Sequence, residues 1–379
     1  MQRPVRKTQI SVPDGFLDLG RGDPQLALLP LDLLHRAAGL RLQQADNSFL
    51  QYGPEQGDGY LRLALADFLA AGSASISDPE RLFITAGISS ALDLLCTLLT
   101  RPGDLVFVEE PTYFLALQIF ADHGLRVVPI ATDESGLVVD ALEQALHSEQ
   151  PKFLYVIPVF QNPSGHTLSE ERRRRLLELS RERGLLIVAD EVYQYLHYSI
   201  VPPRHLGSYP EFQNVISLGS FSKILAPGLR LGWLQADPAL IGRISGSGLL
   251  NSGGGMNPFT SAIVRGLIEN GELQGNIALL VQVYTARVSA MEAALRQHLP
   301  EAKFATPRGG YFFWVRLPGS DLQSMRGRVQ EHQGDYRPGT LFSSRGGLHE
   351  YARLSISYYD PPDIERGVAR LARAIHAAG

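Results

Sequence analysis

The chain has 379 residues, 44% of them hydrophobic and 20% charged, with a formal net charge of -4. These values suit a folded globular protein of about two domains and give no electrostatic reason to bind nucleic acid or a membrane surface. The single cysteine, Cys96, excludes a disulfide framework within one chain; in its apolar run it reads as a buried structural thiol, which suits a reducing, cytoplasmic setting.

The first residues, Met1 to Lys7, are charged and no apolar stretch follows, so neither a signal peptide nor a later transmembrane span is expected. Periodicity is weak up to a loop at Asp18-Leu19-Gly20-Arg21-Gly22-Asp23-Pro24. Apolar residues at helical spacing then predict helices over 31–44 and 61–69, separated by the turn cluster Tyr52-Gly53-Pro54-Glu55-Gln56-Gly57. From Arg81 short apolar runs alternate with longer amphipathic ones. Strands are expected at 82–85, 105–108, 126–130, 153–157, 185–189 and 215–218, with helices between most of them. That alternation implies a mostly parallel sheet covered on both faces, with ligands at the carboxyl ends of its strands. The run Arg172-Arg173-Arg174-Arg175, set among Glu170, Glu171 and Glu178, reads as a solvated helix face. Beyond Ala236 helices are expected over 238–250, 258–269 and about 273–298, and the flexible turn 251–257 between the first two reads as structural, with a ligand-facing role left open. Strands at 311–315 and 352–356 and a last helix over about 362–377 suggest a smaller α+β unit.

Polar residues gather where the strands end. After Thr85 comes Ala86-Gly87-Ile88-Ser89, a glycine turn opening a helix, whose backbone N–H groups and Ser89 hydroxyl suit a phosphate. After the next strand, Tyr113 stands where a ring can lie against a flat ligand. Asn162, in Gln161-Asn162-Pro163-Ser164-Gly165, offers a rigidly placed donor. Asp190 ends a buried apolar strand and is costly there unless a cation or proton donor faces it; a protonated pyridine nitrogen answers that need. Metal ligation by Asp190 and Glu191 lacks a histidine or cysteine at suitable spacing. Ser220-Phe221-Ser222-Lys223, followed by Gly228-Leu229-Arg230, sets an amine among hydroxyls and a guanidinium, the company wanted by an aldehyde cofactor that carries a phosphate. Arg353 brings a planar fork suited to an α-carboxylate. Taken singly, each of these residues also fits a structural role, as a helix cap, a core tyrosine, an internal salt bridge or a solvated lysine.

Together they resemble the fold type I pyridoxal-phosphate enzymes. The likeness is to the branch of 2-aminoadipate and kynurenine aminotransferases and the aminotransferase-like half of winged-helix regulators of the MocR type. It runs from Gly22-Asp23-Pro24 to the Arg353 strand. It implies a large α/β domain with a mostly parallel seven-stranded sheet covered by helices, plus a smaller α+β domain, divided as an N-terminal segment 1–46, a large domain 47–275 and a small domain 276–379. It implies pyridoxal 5'-phosphate held as an imine by Lys223, with Asp190 on the pyridine nitrogen, Tyr193 and Asn162 around the ring hydroxyl, and Tyr113 stacked on the ring. Ser220, Ser222, Arg230 and the Gly87-Ile88-Ser89 turn would hold the phosphate, although relatives often have Ser-Gln where Ile88-Ser89 stands. Tyr52 would reach the phosphate of a neighbouring subunit, making a homodimer. Arg353 and Asn162 would bind the substrate carboxylate beside Gly22. The expected reaction moves an amino group from an L-amino acid to a 2-oxo acid, with 2-oxoglutarate the expected acceptor. Decarboxylation, elimination, replacement or oxidation on the same scaffold stays open, as does a ligand-binding module. The regulators' winged helix is expected to be absent, and Arg21 either favours an acidic substrate or points to water.

Overall fold

A computed structural model describes residues 8–71, 78–209 and 213–377; Met1 to Lys7, which bear on the expected lack of a signal peptide, lie outside them. The chain opens with a two-residue strand, β1 (Leu17–Asp18). Runs rich in Val, Ile, Leu and Phe, residue types that pack well on a pleated surface, then build the main sheet. Its strands are β2 (Leu82–Thr85), β3 (Leu105–Glu110), β4 (Arg126–Asp133), β5 (Gly136–Leu137), β6 (Phe153–Val156), β7 (Ile187–Asp190), β8 (Val215–Ser220) and β9 (Gly232–Gln235). Their spatial order is β2-β9-β8-β7-β6-β3-β4-β5. The centre is parallel, with β9 antiparallel to both its neighbours and β5 antiparallel to β4. The mostly parallel sheet thus has eight strands rather than seven. The eighth, β5, is a two-residue hairpin partner, too short to leave a period in the sequence.

Successive strand residues point to opposite faces, and both faces are apolar. On one, Phe83, Val106, Val108, Phe153, Tyr155, Val188, Ile216 and Leu218 pack against the helices Ile88–Leu99 and Phe114–Asp122. On the other, Leu105, Phe107, Leu154, Val156, Ile187 and Val215 pack against Val139–Ala145 and Glu170–Arg183. Each fully buried side chain of this kind stabilises the fold by about 1.5–3 kcal/mol. Cys96 lies in the first of these layers as a buried thiol, pushed up to about 12 by burial and the nearby Asp93. The arginine run differs from its reading as a solvated face. Arg172 pairs with Asp133 and Arg175 with Glu143, but Arg173 is fully buried and donates to the carbonyls of Leu168, Arg204 and Pro158. Three carbonyl acceptors satisfy a guanidinium that the sequence pattern assigns to water.

The C-terminal part holds β10 (Phe312–Arg316), β11 (Gly334–Asp335), β12 (Arg337–Pro338) and β13 (Tyr351–Ser355). They form an antiparallel sheet β10-β13-β12, while β1 pairs in parallel with β11 and Asp18 forms a two-bond ion pair with Arg337. The long helix Glu272–His298 and the terminal helix Pro361–His376 cover this part. Their core, with Tyr284, Phe312, Leu354 and Val368, is continuous with Tyr193, Phe221, Ile224 and Leu225. The loop after β8 is therefore anchored in the C-terminal core on either side of Lys223. The helix expected over 238–250 is two, Pro238–Ser245 and Gly248–Gly253, interrupted at Gly246 and Ser247. The turn expected over 251–257 is narrower, because Asn251, Ser252 and Gly253 belong to the second of these helices; at what remains Gly255 bridges Gly53, and a Cβ there would lie 2.0 Å from the Pro54 carbonyl oxygen.

Candidate active site

Five chain segments meet at one edge of the main sheet because β2, β3, β6, β7 and β8 all run in the same direction and end there. They deliver the Gly87 turn, Tyr113, Asn162, Asp190 and Lys223 respectively. Lys223, three residues past β8, is half-buried, and its Nζ donates to the Gly22 carbonyl at 2.8 Å. Desolvation lowers the amine to about 8, against the pull of Asp23 and Asp190 and with the push of Arg353. A lysine so placed is partly neutral near neutrality, which a nucleophile or base requires.

Asp190 is buried at the end of β7. It accepts from the Tyr155 hydroxyl at 2.8 Å and, over a longer 3.3 Å, from the Val192 N–H. Burial raises it to about 6, and these two bonds and the Lys223 charge restrain the rise. Two donors leave a buried carboxylate with unused lone pairs. Tyr113 immediately precedes the helix Phe114–Asp122 and is pushed up to about 12 by burial and by Asp190, against the pull of Arg353. Tyr193 is buried edge-on to Tyr311 and Phe312, and burial pushes its phenol up as well.

At the Gly87 corner the helix Ile88–Leu99 begins with no capping side chain, so its first-turn N–H groups are open to a ligand. Gly87 has φ +88°, and a Cβ there would lie 3.1 Å from the Arg230 Nη2, which itself donates to the Ala86 carbonyl at 2.9 Å. Only glycine suits that conformation and that approach. Ser220 Oγ donates to Ser222 Oγ at 2.9 Å, which leaves the Ser222 proton for an acceptor. Ser89 is exposed and Ile88 half-buried at the same helix start.

Arg353 is buried on β13. Its Nη1 donates to Asn162 Oδ1 and its Nη2 to the Gly20 carbonyl, both at 2.9 Å, while the buried Nε has no partner. The guanidinium lies over Phe312 at 3.9 Å, and desolvation lowers it to about 10. A Cβ on Gly22 would stand 3.4 Å from Phe312 and 3.8 Å from Arg353 Nη2, so the glycine keeps this corner open. Lys223, Asp190, Asn162, Tyr113, Tyr193, Arg353 and Gly22 thus converge. Tyr52 stands apart, 82% exposed in the turn after Ser48–Leu50. Arg21 does not point to water: it is buried, paired with Asp23 at 2.5 Å and laid over Tyr358 at 3.5 Å. Sequence reasoning overlooked Tyr155, whose hydroxyl is the nearer donor to Asp190; the available signal was a lone polar atom inside the apolar run 153–157.

Residues 14–371 match the family model described as aminotransferase class I and II. The chain belongs to that family. It is 34% identical to aromatic-amino-acid aminotransferase 1 of Thermococcus litoralis, over 95% of this chain and 88% of that one. A multiple substrate aminotransferase from Thermococcus profundus superposes with a TM-score of 0.90 at 34% identity, over 96% of this chain and 92% of that one. LysN, the α-aminoadipate aminotransferase of Thermus thermophilus complexed with N-(5'-phosphopyridoxyl)-L-leucine, gives 0.88 at 32% identity, over 96% and 93%. This aminotransferase is a transaminase that uses pyridoxal phosphate to move an amino group between an amino acid and a 2-oxo acid. Among its described residues no helix is long and apolar enough to cross a membrane. The donor set fits the cofactor: an amine lowered to about 8, a buried carboxylate with spare lone pairs, a helix start without a cap, and a buried guanidinium Nε without a partner.

Proposed function

We propose that the residues at this sheet edge hold the cofactor and the amino acid, and that Lys223 is both the cofactor's attachment point and the proton carrier. One observation carries the reading: a desolvated amine, an under-supplied carboxylate and an under-supplied guanidinium share one corner. Bound pyridoxal phosphate supplies an aldehyde for the amino group and an electron-withdrawing ring for the pair left at Cα. Asp190 holds a proton on the ring nitrogen. Asn162 and Tyr193 orient the ring hydroxyl, and Tyr113 lies against the ring. The amides of Ile88 and Ser89 after Gly87, with Ser220, Ser222 and Arg230, bind the phosphate.

Arg353 receives the α-carboxylate with Asn162, next to the open corner at Gly22, so that the Cα–H bond stands across from Lys223. The Lys223 amine, near its own midpoint at pH 8, would take that proton and hand it to the cofactor's former aldehyde carbon, across the nitrogen from Cα. We further propose 2-oxoglutarate as an acceptor, a cytoplasmic setting, and division into 1–46, 47–275 and 276–379. A homodimer would give the exposed Tyr52 a place at the partner's phosphate. Purified protein is expected to show a visible band that an amino acid alone bleaches and 2-oxoglutarate restores. An unchanged band and turnover in Lys223→Ala would sink the assignment of Lys223. Retained phosphate affinity in Tyr52→Ala, with sedimentation showing a monomer, would remove the dimer.

A further inference from the structure

We infer that Tyr155 is a positioning residue of this aminotransferase, acting through Asp190 to keep one carboxylate oxygen capped and the other presented, ionised, to the cofactor's ring nitrogen. The inference rests on the proposed role of Asp190. It starts from an anomaly in packing. Tyr155 is fully buried on β6, and its neighbours on that face, Phe153, Val106, Val108 and Val188, are apolar. Phe120 meets its ring edge-on at 5.6 Å. Phenylalanine would fill this space equally well, so packing does not call for the hydroxyl, and a buried hydroxyl costs stability unless it is bonded.

Its hydrogen bond goes to Asp190 Oδ2 at 2.8 Å. Burial and the Asp190 charge push the phenol far up, so it stays protonated and acts as a donor. Pairing of β6 with β7 sets Tyr155 beside Val188, two residues before Asp190 on the same face. The donor therefore comes from a rigid strand rather than a loop. With Oδ2 capped, Oδ1 keeps only the 3.3 Å contact from the Val192 N–H, and its remaining lone pairs are free for a proton donor. The charged and titratable groups facing Asp190 are Tyr155 from β6, Tyr113 from the start of Phe114–Asp122, Lys223 from the loop after β8, and Glu191 and Tyr193 beside it in the chain. Of these, Tyr155 alone donates a side-chain hydrogen bond to it. Removing that bond makes Asp190 easier to protonate, and a protonated Asp190 no longer offers its negative charge to a protonated ring nitrogen.

The test uses the holoenzyme of wild type, Tyr155→Phe and Asp190→Asn, each reconstituted with pyridoxal phosphate or with its analogue bearing CH in place of the ring nitrogen. Cofactor retention on dialysis is measured from pH 5.5 to 8.5. Tyr155→Phe should retain the natural cofactor about tenfold less well than wild type, with the acid limb of retention moved up by about one pH unit, as loss of one bond to a charged group implies. With the analogue, wild type and Tyr155→Phe should behave alike, because that ring offers nothing to Asp190. Equal losses with both cofactors would make Tyr155 a packing residue and overturn the inference, as would an unmoved acid limb. If Asp190→Asn costs as much retention with the analogue as with the natural cofactor, the reading of Asp190 fails, and the inference with it. A ring-fluorinated tyrosine at position 155, a stronger donor of nearly the same size, tests the point without truncation: the acid limb should move down, and an unmoved limb counts against the inference.

Discussion

Asp190 and Glu191 are adjacent, both buried, and point to opposite faces of the same strand end, yet they live under different terms. Glu191 accepts from the Leu206 N–H at 2.9 Å, from the Ser217 hydroxyl and from His205 at 3.2 Å. Burial alone would push it up, but His205, Arg173 and Ser217 hold it below the usual carboxylate range. Asp190 has two donors, one of them long, and rises to about 6. Two buried arginines repeat the pattern. Arg173, on the Glu191 side, gives its protons to three carbonyls, whereas Arg353, at the other corner, keeps an unpaired Nε. A saturated buried charge holds the fold. Asp190 and Arg353 keep spare capacity in one corner; the unpartnered Nε atoms of Arg41, Arg62 and Arg287 lie elsewhere, so it is the convergence and not the single atom that suits a ligand.

That contrast breaks most easily by exchanging truncations. Glu191→Ala should cost about 3–5 kcal/mol of stability, because it strands the Ser217 hydroxyl, the Leu206 N–H and the Arg173 charge; denaturant midpoints measure it. Asp190→Ala should cost the cofactor-free protein little stability while lowering turnover by at least about 100-fold, the scale of a lost electrostatic contact to the reacting group. If Asp190→Ala unfolds the protein as readily as Glu191→Ala, the two carboxylates are alike and the contrast is gone. Arg353→Gln sharpens it next: kcat/KM should fall by about 100-fold, and Arg353→Lys should not rescue it, because an ammonium cannot replace the planar fork. Amino acid esters, which lack the carboxylate, should lose little of their already poor rate.

Much of this was legible in the sequence, for a physical reason. Lys223, Asp190, Asn162 and Tyr113 each follow an apolar strand, and a polar residue at a strand's carboxyl end is visible in one dimension. Arg353 was visible for a related reason, as a charge inside an apolar strand. Contacts made across the fold were not. The strand β9 pairs antiparallel beside β2 and β8, and no strand is among those expected over 232–235. Tyr155 hides in an apolar run because its partner is fixed by the β6–β7 register, and Arg173 looks solvated because its three acceptors are backbone carbonyls brought in from other segments. The burial of Arg21, paired with Asp23 and laid over Tyr358 rather than turned to water, likewise needed a folded loop.

A further expected effect concerns pH, and its sign separates the two carboxylates. Asp190 titrates near 6 when folded and near 3.9 when unfolded, so between those values the folded state binds the extra proton. Its contribution is therefore most favourable below about pH 4 and is lost as pH rises through 6, a change of about 3 kcal/mol at most. Glu191 is lowered instead, so its contribution is present above its unfolded value and is lost as pH falls. Stability of the cofactor-free protein measured against pH should show this as a crossing. Relative to wild type, Asp190→Asn should gain stability as pH rises from 4 to 7, whereas Glu191→Gln should lose it over the same range. Adding pyridoxal phosphate should cancel the gain, since a ring nitrogen proton then meets Asp190, and a gain that persists with the cofactor bound would argue that the two never pair.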